Sequence, residues 1–273
     1  MNSTNIDNYS SENAFTGKVA LITGGATGIG AATARHLSRL GARVVITGRR
    51  ADVLNDVANE IGGVAVTGDV STEEACTRAV AAAVENYGGL DFVIANAGIT
   101  REGAIDVESE DDWNQTMDIN LGGVRRVALA AIPALSERPG AAIVNIASAA
   151  GLRATPNACS YVTSKTALIG LTRSMAYDLG PRGIRVNAVC PGWVATEMLE
   201  MEMSGLAKEK NLSVDETIDR CIRHYPLRRL ADPIEVARVI EFLVSDKASF
   251  ITGIALPVDG GGDMVDVGTL EFR

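Results

Sequence analysis

The run Lys18-Val19-Ala20-Leu21-Ile22-Thr23-Gly24-Gly25-Ala26-Thr27-Gly28-Ile29-Gly30 decides how this chain folds. Its first half is a short apolar block, which predicts a buried strand over 18–23. Apolar residues then recur at helical spacing over 29–40 and stop at Gly41, a natural C-cap, so a helix follows. Gly24, Gly28 and Gly30 mark the junction with the spacing Gly-xxx-Gly-x-Gly. Without side chains there, backbone amides can approach a phosphate, and the helix N-terminus adds partial positive charge. A plain Gly-rich turn reads the same way in isolation, and this spacing differs from the Gly-x-Gly-xx-Gly fingerprint. Its position between a first strand and a first helix favours a turn that cradles the pyrophosphate of a dinucleotide.

Outward from that turn the alternation continues. Apolar blocks predict strands over 43–47, 64–67, 90–95, 141–147, 184–189 and 254–258, and helical spacing predicts helices over 51–61, 72–87, 110–135, 158–179 and 234–244. The helix over 72–87 opens with a Ser71/Thr72 cap and acids in its first turn. Such alternation implies right-handed crossovers and an α/β fold, a doubly wound parallel sheet of about seven strands. Over 197–226 the pattern loosens into a Met- and Glu-rich amphipathic stretch, read as a helical substrate lid. No Pro/Ser-rich linker divides the chain, so a single domain is expected over 15–262, with a polar leader at 1–14 and a tail at 263–273.

Composition removes several classes of function. The chain is 47% hydrophobic and 22% charged, as expected of a globular protein with ample core. A net charge of −9 and the lack of a basic, aromatic-interleaved run argue against nucleic-acid partners. No apolar run approaches the length needed to span a bilayer and the leader is polar, so no membrane partner and a cytoplasmic location are expected. Cys76, Cys159, Cys190 and Cys221 are dispersed and the histidines are His36 and His224, so free thiols, structural histidines and no metal site are expected.

The chemistry sits after the strand over 141–147. Ser148 falls at its carboxyl end, and Tyr161 and Lys165, four residues apart, share one face of the helix over 158–179. Hydride transfer to or from a carbinol carbon needs a partner for the hydroxyl proton. Tyr161 is the candidate; its phenol, ordinarily near pKa 10, needs a neighbouring cation to act as a base, and Lys165 is placed to supply one. Ser148 would hydrogen-bond the substrate oxygen. Taken singly, a Tyr on an Ala-rich helix packs and a Ser after a strand caps; the ordered set carries the reading. A serine hydrolase is disfavoured, since Ser148 has no Gly-x-Ser-x-Gly elbow and neither histidine sits where a triad base belongs. At the end of the second strand Gly48 stands where an acid would select the ribose 2′-hydroxyl of NAD, and Arg49 and Arg50 follow, which favours NADP(H) and keeps NAD(H) possible. The other reading of the two arginines is a solvated helix start.

Together these residues resemble the short-chain dehydrogenase/reductase family, over about 15–262. Thr23 to Gly30 is similar to its cofactor turn, Asn96-Ala97-Gly98 to its Asn-Ala-Gly motif, Asn120 to its helix-four asparagine, and Ser148 with Tyr161-xxx-Lys165 to its catalytic set. Pro191-Gly192 through Thr196 and Asp259-Gly260-Gly261 follow in the family's order. The resemblance implies a Rossmann-type fold and a nicotinamide cofactor held by Gly24, Thr27, Gly28, Ile29, Gly30 and Arg49. It has Asp69 and Val70 at the adenine, Asn96, Ala97 and Gly98 by the ribose, Tyr161 and Lys165 at the nicotinamide ribose, and Pro191, Gly192, Val194 and Thr196 at the carboxamide and phosphate side. It implies a catalytic set of Asn120, Ser148, Tyr161 and Lys165, with Asn120 holding a relay water. Two departures stand out: Ala95-Asn96 replaces an Asn-Asn doublet, and Thr27 replaces the basic residue that many NADP-preferring members carry. The implied activity is an NAD(P)-dependent oxidoreductase acting on CH-OH donors, a carbonyl reductase or alcohol dehydrogenase, in a homotetramer or homodimer.

Ser148, Tyr161 and Trp193 are the expected substrate contacts. Met198, Met201 and Met203 suit a fairly hydrophobic carbonyl or alcohol, or else pack on the core. Arg101, Leu152, Arg153 and Asn157 are further pocket candidates, and a basic residue there would suit an acidic substrate. The alternatives are an NAD-dependent alcohol, sugar or hydroxy-steroid dehydrogenase, a 3-oxoacyl thioester reductase, and a dinucleotide-sensing scaffold without catalysis.

Overall fold

In the computed structural model, which describes residues 13–265, strands and helices alternate as the periodicity predicts. Positions 1–12 of the expected leader and 266–273 of the expected tail lie outside the described residues. The strands are β1 (Val19–Thr23), β2 (Arg43–Gly48), β3 (Val64–Thr67), β4 (Phe92–Ala95), β5 (Ala142–Ile146), β6 (Arg185–Pro191) and β7 (Ala255–Val258). They form one seven-stranded sheet in the order β3-β2-β1-β4-β5-β6-β7, every neighbouring pair parallel. Chain order reverses between β1 and β4, so a crevice opens at the carboxyl ends of those strands.

Period-two alternation divides the core between the faces of the sheet. Leu21, Val45, Val93 and Ile143 pack under α3 (Glu73–Tyr87), α5 (Gly123–Ser136) and α6 (Cys159–Leu179). Ile22, Ile46, Ile94 and Val144 pack under α1 (Gly28–Arg39), α2 (Ala51–Ile61) and α9 (Pro233–Val244). Both faces are covered, which is why the strands read as unbroken apolar blocks. His36 of α1 meets Glu241 of α9 at 2.6 Å, a structural contact. Among the described residues no helix is long and apolar enough to cross a membrane.

Two segments depart from the expected elements. The single helix expected over 110–135 is α4 (Glu110–Met117), a π-helical turn (Asp118–Gly122) and α5. The turn swings Asn120 into the interior, a local rearrangement that hydrophobic periodicity does not report. The expected lid is two helices, α7 (Glu197–Lys210) and α8 (Val214–Ile222), opened by Thr196 and by a Ser213/Glu216 capping box. α7 buries only Leu199, Met203 and Ala207, a stripe too narrow to stand out in the sequence.

β6 begins with a buried arginine. The Arg185 guanidinium donates to the carbonyls of Leu243, Val244 (3.2 Å) and Ser245 (3.3 Å) where α9 ends. It thus supplies the donors and the positive charge that a helix C-terminus lacks. Arg185→Met keeps the bulk and strands those carbonyls. Urea unfolding is expected to show a loss of about 3 kcal/mol, the scale of charged hydrogen bonds left unmade; an unchanged midpoint would refute the capping role.

Candidate active site

Thr23 at the end of β1 fixes the glycine turn against the loop after β4. Its hydroxyl accepts from the backbone N–H groups of Asn96 and Ala97, each at 3.0 Å. The Asn96 amide donates in return to the carbonyls of Thr23 and Gly24, also at 3.0 Å. Gly24 and Gly28 take left-handed backbone conformations, and a Cβ on Gly30 would overlap the Gly24 carbonyl. α1 starts at Thr27 with no side-chain cap and no acid in its first turn, whereas α3, α4, α7 and α9 have both. Uncapped amides beside a cradle that a Cβ would fill fit the pyrophosphate of a dinucleotide. Ile29 packs against the core beneath.

The arginines after β2 divide their contacts. Arg49 lies 3.9 Å from the Asp69 carboxylate, while Arg50 donates to the Thr27 hydroxyl (3.3 Å) and the Glu197 carboxylate (3.0 Å). Arg50, rather than Arg49, therefore touches the turn. Asp69 also accepts from the Ser71 backbone at 2.9 Å, and the Val70 side chain belongs to the core, close to Gly123. On the other flank a Cβ at Gly192, just after Pro191, would meet Asp259. Val194 is buried in the core and Thr196 caps α7, its hydroxyl accepting from the Leu199 backbone at 3.3 Å. The Trp193 carbonyl accepts from the Ala231 backbone at 2.9 Å.

Ser148, Tyr161 and Lys165 meet at the carboxyl end of β5. The loop carrying Gly103 and Glu108 locks the start of α6: Gly103 bonds the backbone of Asn157 (2.9 Å) and Cys159 (3.2 Å). The Glu108 carboxylate accepts from the Ser160 backbone at 3.0 Å and from its hydroxyl, supplying the cap that Ala158 cannot. Tyr161 then faces Ser148, which pulls its phenol down. Lys165 donates to the Ile146 carbonyl at 2.9 Å with its ammonium 5.7 Å from the Tyr161 ring centre. Asn120 lies behind them. Its Oδ1 accepts from the Ile99 backbone (2.8 Å) and its Nδ2 donates to the Ile99 carbonyl (2.9 Å) and the Ser164 hydroxyl (3.1 Å). A Cβ on Gly98 would stand 3.2 Å from that Oδ1 and 3.4 Å from the lysine nitrogen.

The electrostatics differ from the sequence expectation in one respect. Burial pushes the Tyr161 phenol up to about 12, with Ser148 pulling down and Glu202 adding to the rise, so the chain alone holds it protonated. Burial brings Lys165 down to about 8, against a smaller upward push from Cys190. Proximity of lysine and phenol is present; desolvation outweighs it.

Several groups around the site make contacts that the sequence does not report. Arg153, expected as a possible pocket base, donates to the Gly262 carbonyl and to the Tyr225 hydroxyl (3.0 Å), its guanidinium 5.9 Å from that ring centre. Arg101 is held by Asp112 (3.2 Å) and Gln115 (2.8 Å). Met203 is buried, 4.0 Å from the Cys221 sulfur, while Met201 is 71% exposed. Glu202 lies close enough to raise the Tyr161 phenol. Its spacing three residues after Leu199 was the available signal, since it sets an acid beside a buried stripe.

Comparison with known proteins agrees with this geometry. A family profile described as enoyl-(acyl carrier protein) reductase matches residues 24–263. Protein MoaE of Klebsiella aerogenes is 42% identical over 260 residues, covering 93% of this chain and 99% of its own. The 3-oxoacyl-[acyl-carrier-protein] reductase FabG of Thermotoga maritima is 36% identical over 250 residues, with coverages of 90% and 97%. The crystal structure of levodione reductase superposes with a TM-score of 0.88 at 31% identity, covering 92% of this chain and all of that one. The chain belongs to the short-chain dehydrogenase/reductase family, whose members are oxidoreductases that use nicotinamide cofactors.

Gly30→Ala is expected to weaken binding of reduced nicotinamide cofactor at least about ten-fold in a fluorescence titration. Gly170→Ala, where a Cβ meets nothing within 4 Å, is the control. Equal affinity in both variants would exclude the turn as the phosphate cradle.

Proposed function

We propose that this protein is an NADP(H)-preferring reductase or dehydrogenase that moves a hydride between nicotinamide and a carbonyl or secondary-alcohol carbon, with Tyr161 as general acid and base. The observation that carries it is the convergence of Ser148 and the buried Lys165 ammonium on the Tyr161 phenol, in a chain whose first helix opens with an uncapped glycine turn. In reduction the protonated phenol gives its proton to the carbonyl oxygen, and Ser148 steadies the charge developing there. In oxidation the phenol takes the carbinol proton, and Lys165 stabilises the phenolate that burial opposes. The cofactor, when bound, supplies or accepts the hydride and, oxidised, adds positive charge beside the phenol. Because both ends of the Asn120 amide are committed, a relay water would rest on its backbone carbonyl, within the π-turn. Relatives named for 3-oxoacyl thioesters and for levodione support a carbonyl substrate.

Arg49 and Arg50 support NADP(H), with Gly48 where an acid would repel a 2′-phosphate. The carboxylates of Asp69 and Glu197 beside these arginines favour a second reading with NAD(H), since they already neutralise both guanidinium groups. A homotetramer and a cytoplasmic location complete the proposal; Leu129 and Tyr177, 52% and 85% exposed on α5 and α6, are faces that such an assembly would cover.

Tyr161→Phe is expected to lower turnover by about 10²–10⁴-fold, followed by absorbance of the reduced nicotinamide, with cofactor affinity retained; undiminished turnover would end the mechanism. With the phenol at about 12 and Lys165 at about 8 in the free protein, kcat/KM for alcohol oxidation should climb with pH from about 6 to 8 and flatten above it as the ammonium loses its proton, while that for carbonyl reduction stays level from about 6 to 8. A level oxidation profile would exclude Tyr161 as the base. Titrating wild type, Arg49→Ala and Arg50→Ala with both cofactors decides the preference: NADP affinity should drop in the variants and NAD affinity should not. Unchanged NADP affinity in both would reject the arginine argument.

A further inference from the structure

Helix α7 is turned the wrong way for packing. Leu199, Met203 and Ala207 face inward, and Glu202 lies beside them, half-buried, while its neighbour Met201 is 71% exposed. A helix that only closed over the core would exchange the two, because burying a carboxylate opposes folding and exposing a methionine wastes apolar surface. Glu202 instead turns toward the candidate site, half-buried beside Leu199 and Met203, where Thr100 and Glu102 are its polar neighbours and its charge acts on the Tyr161 phenol. The arginines of the adjoining loops are engaged elsewhere, Arg101 with Asp112 and Gln115, and Arg153 with Tyr225 and Gly262. Among the described residues, no ion pair includes Glu202.

We infer that Glu202 is a specificity-determining residue that selects carbinols or carbonyl compounds carrying an ammonium group, holding that group while the oxygen faces Ser148 and Tyr161. The inference rests on the hydride-transfer reading above. An ammonium is the complement that compensates a partly desolvated carboxylate, and an anionic substituent would be repelled. It also reverses the expectation that a basic pocket residue would favour an acidic substrate.

Burial, with Glu102 adding like charge, raises the Glu202 carboxyl to about 7, so the selectivity is itself pH-dependent. The groups facing this region are Glu102 from the loop after β4, Tyr161 from α6 and Cys221 from α8, which meets Met203. Burial raises both the Tyr161 phenol and the Cys221 thiol, which therefore stay neutral between about pH 6 and 8. Lys165, beside Tyr161 on α6 and brought down to about 8, begins to lose its charge only at the upper end of that interval, whereas Glu202 passes from protonated to ionised across it; the Gln variant separates the two.

Three secondary alcohols of similar size separate the possibilities: 1-amino-2-propanol, 2-butanol and lactate. Their binding to the protein saturated with oxidised cofactor is measured by ligand-observed NMR, and their oxidation by nicotinamide absorbance. At about pH 8 the amino alcohol should bind at least about ten-fold tighter than 2-butanol, with lactate weakest, and the preference should shrink towards pH 6. Glu202→Gln should weaken the amino alcohol at least about ten-fold more than 2-butanol and remove the pH dependence. Equal binding of the amine and 2-butanol, no detectable amine binding, tighter binding of lactate, or the same preference in the Gln variant would each overturn the inference. Oxidation of 2-butanol without an amine preference retires the role of Glu202 and leaves the hydride-transfer reading intact. Amine-selective binding without oxidation of any of the three does the reverse.

Discussion

The buried amide of Asn120 is the joint on which the geometry of the candidate site depends. Its oxygen and nitrogen take both backbone groups of Ile99, and its nitrogen also reaches Ser164 on the helix that carries Tyr161 and Lys165. One side chain thereby registers the loop after β4, the π-turn and α6 against each other. For a buried side chain an unmade amide bond is costly, so the three elements are held in one relative position rather than a range of positions. Gly98, packed against both Asn120 and Lys165, shows how closely the lysine is confined by that joint.

Confinement explains the balance of charge at the site. Tyr161 and Lys165 are both desolvated, and burial moves their pKa values towards the neutral forms, the phenol up and the ammonium down. Under the proposed mechanism the protein would hold the acid form of Tyr161 at rest and keep a cation close by for the step in which that proton has left. The carbonyl of Ile146 anchors the lysine, while Ser148 orients the phenol. Each depends on β5 ending where it does, at the sheet edge where β1 and β4 also end.

Much of this was legible in the sequence, because apolar blocks and helical spacing report which faces are buried. The order of elements, the glycine turn and the spacing of Tyr161 and Lys165 all follow from that rule. The break in the helix after Met117 was not legible, since apolar residues recur at near-helical spacing on both sides of the π-turn and the turn is tied down by one asparagine whose partner lies 21 positions away. Arg50 was passed over in favour of Arg49 because only the path of the chain after β2 decides which guanidinium meets Thr27. Arg153, expected as a pocket residue, and Arg185, at the start of a predicted strand, each reach carbonyls far along the chain, at Gly262 and at the end of α9, which no local pattern reports. The loosely patterned lid was legible only as a departure from the sheet rhythm; the inward carboxyl of Glu202 needed the helix axis to be known.

The Arg153 clasp gives the enzyme a mechanical property. The loop between Ser148 and Tyr161 is fastened through one guanidinium to Tyr225 below the lid helices and to Gly262 near the end of the domain, where a side chain on Gly262 would collide with the Tyr225 ring. Efforts to broaden substrate range by trimming residue 225, or to append a fusion partner soon after residue 262, act on the same lever as Ser148, the proposed catalytic serine. In this scaffold the breadth of the pocket and the alignment of the reacting groups are adjusted together.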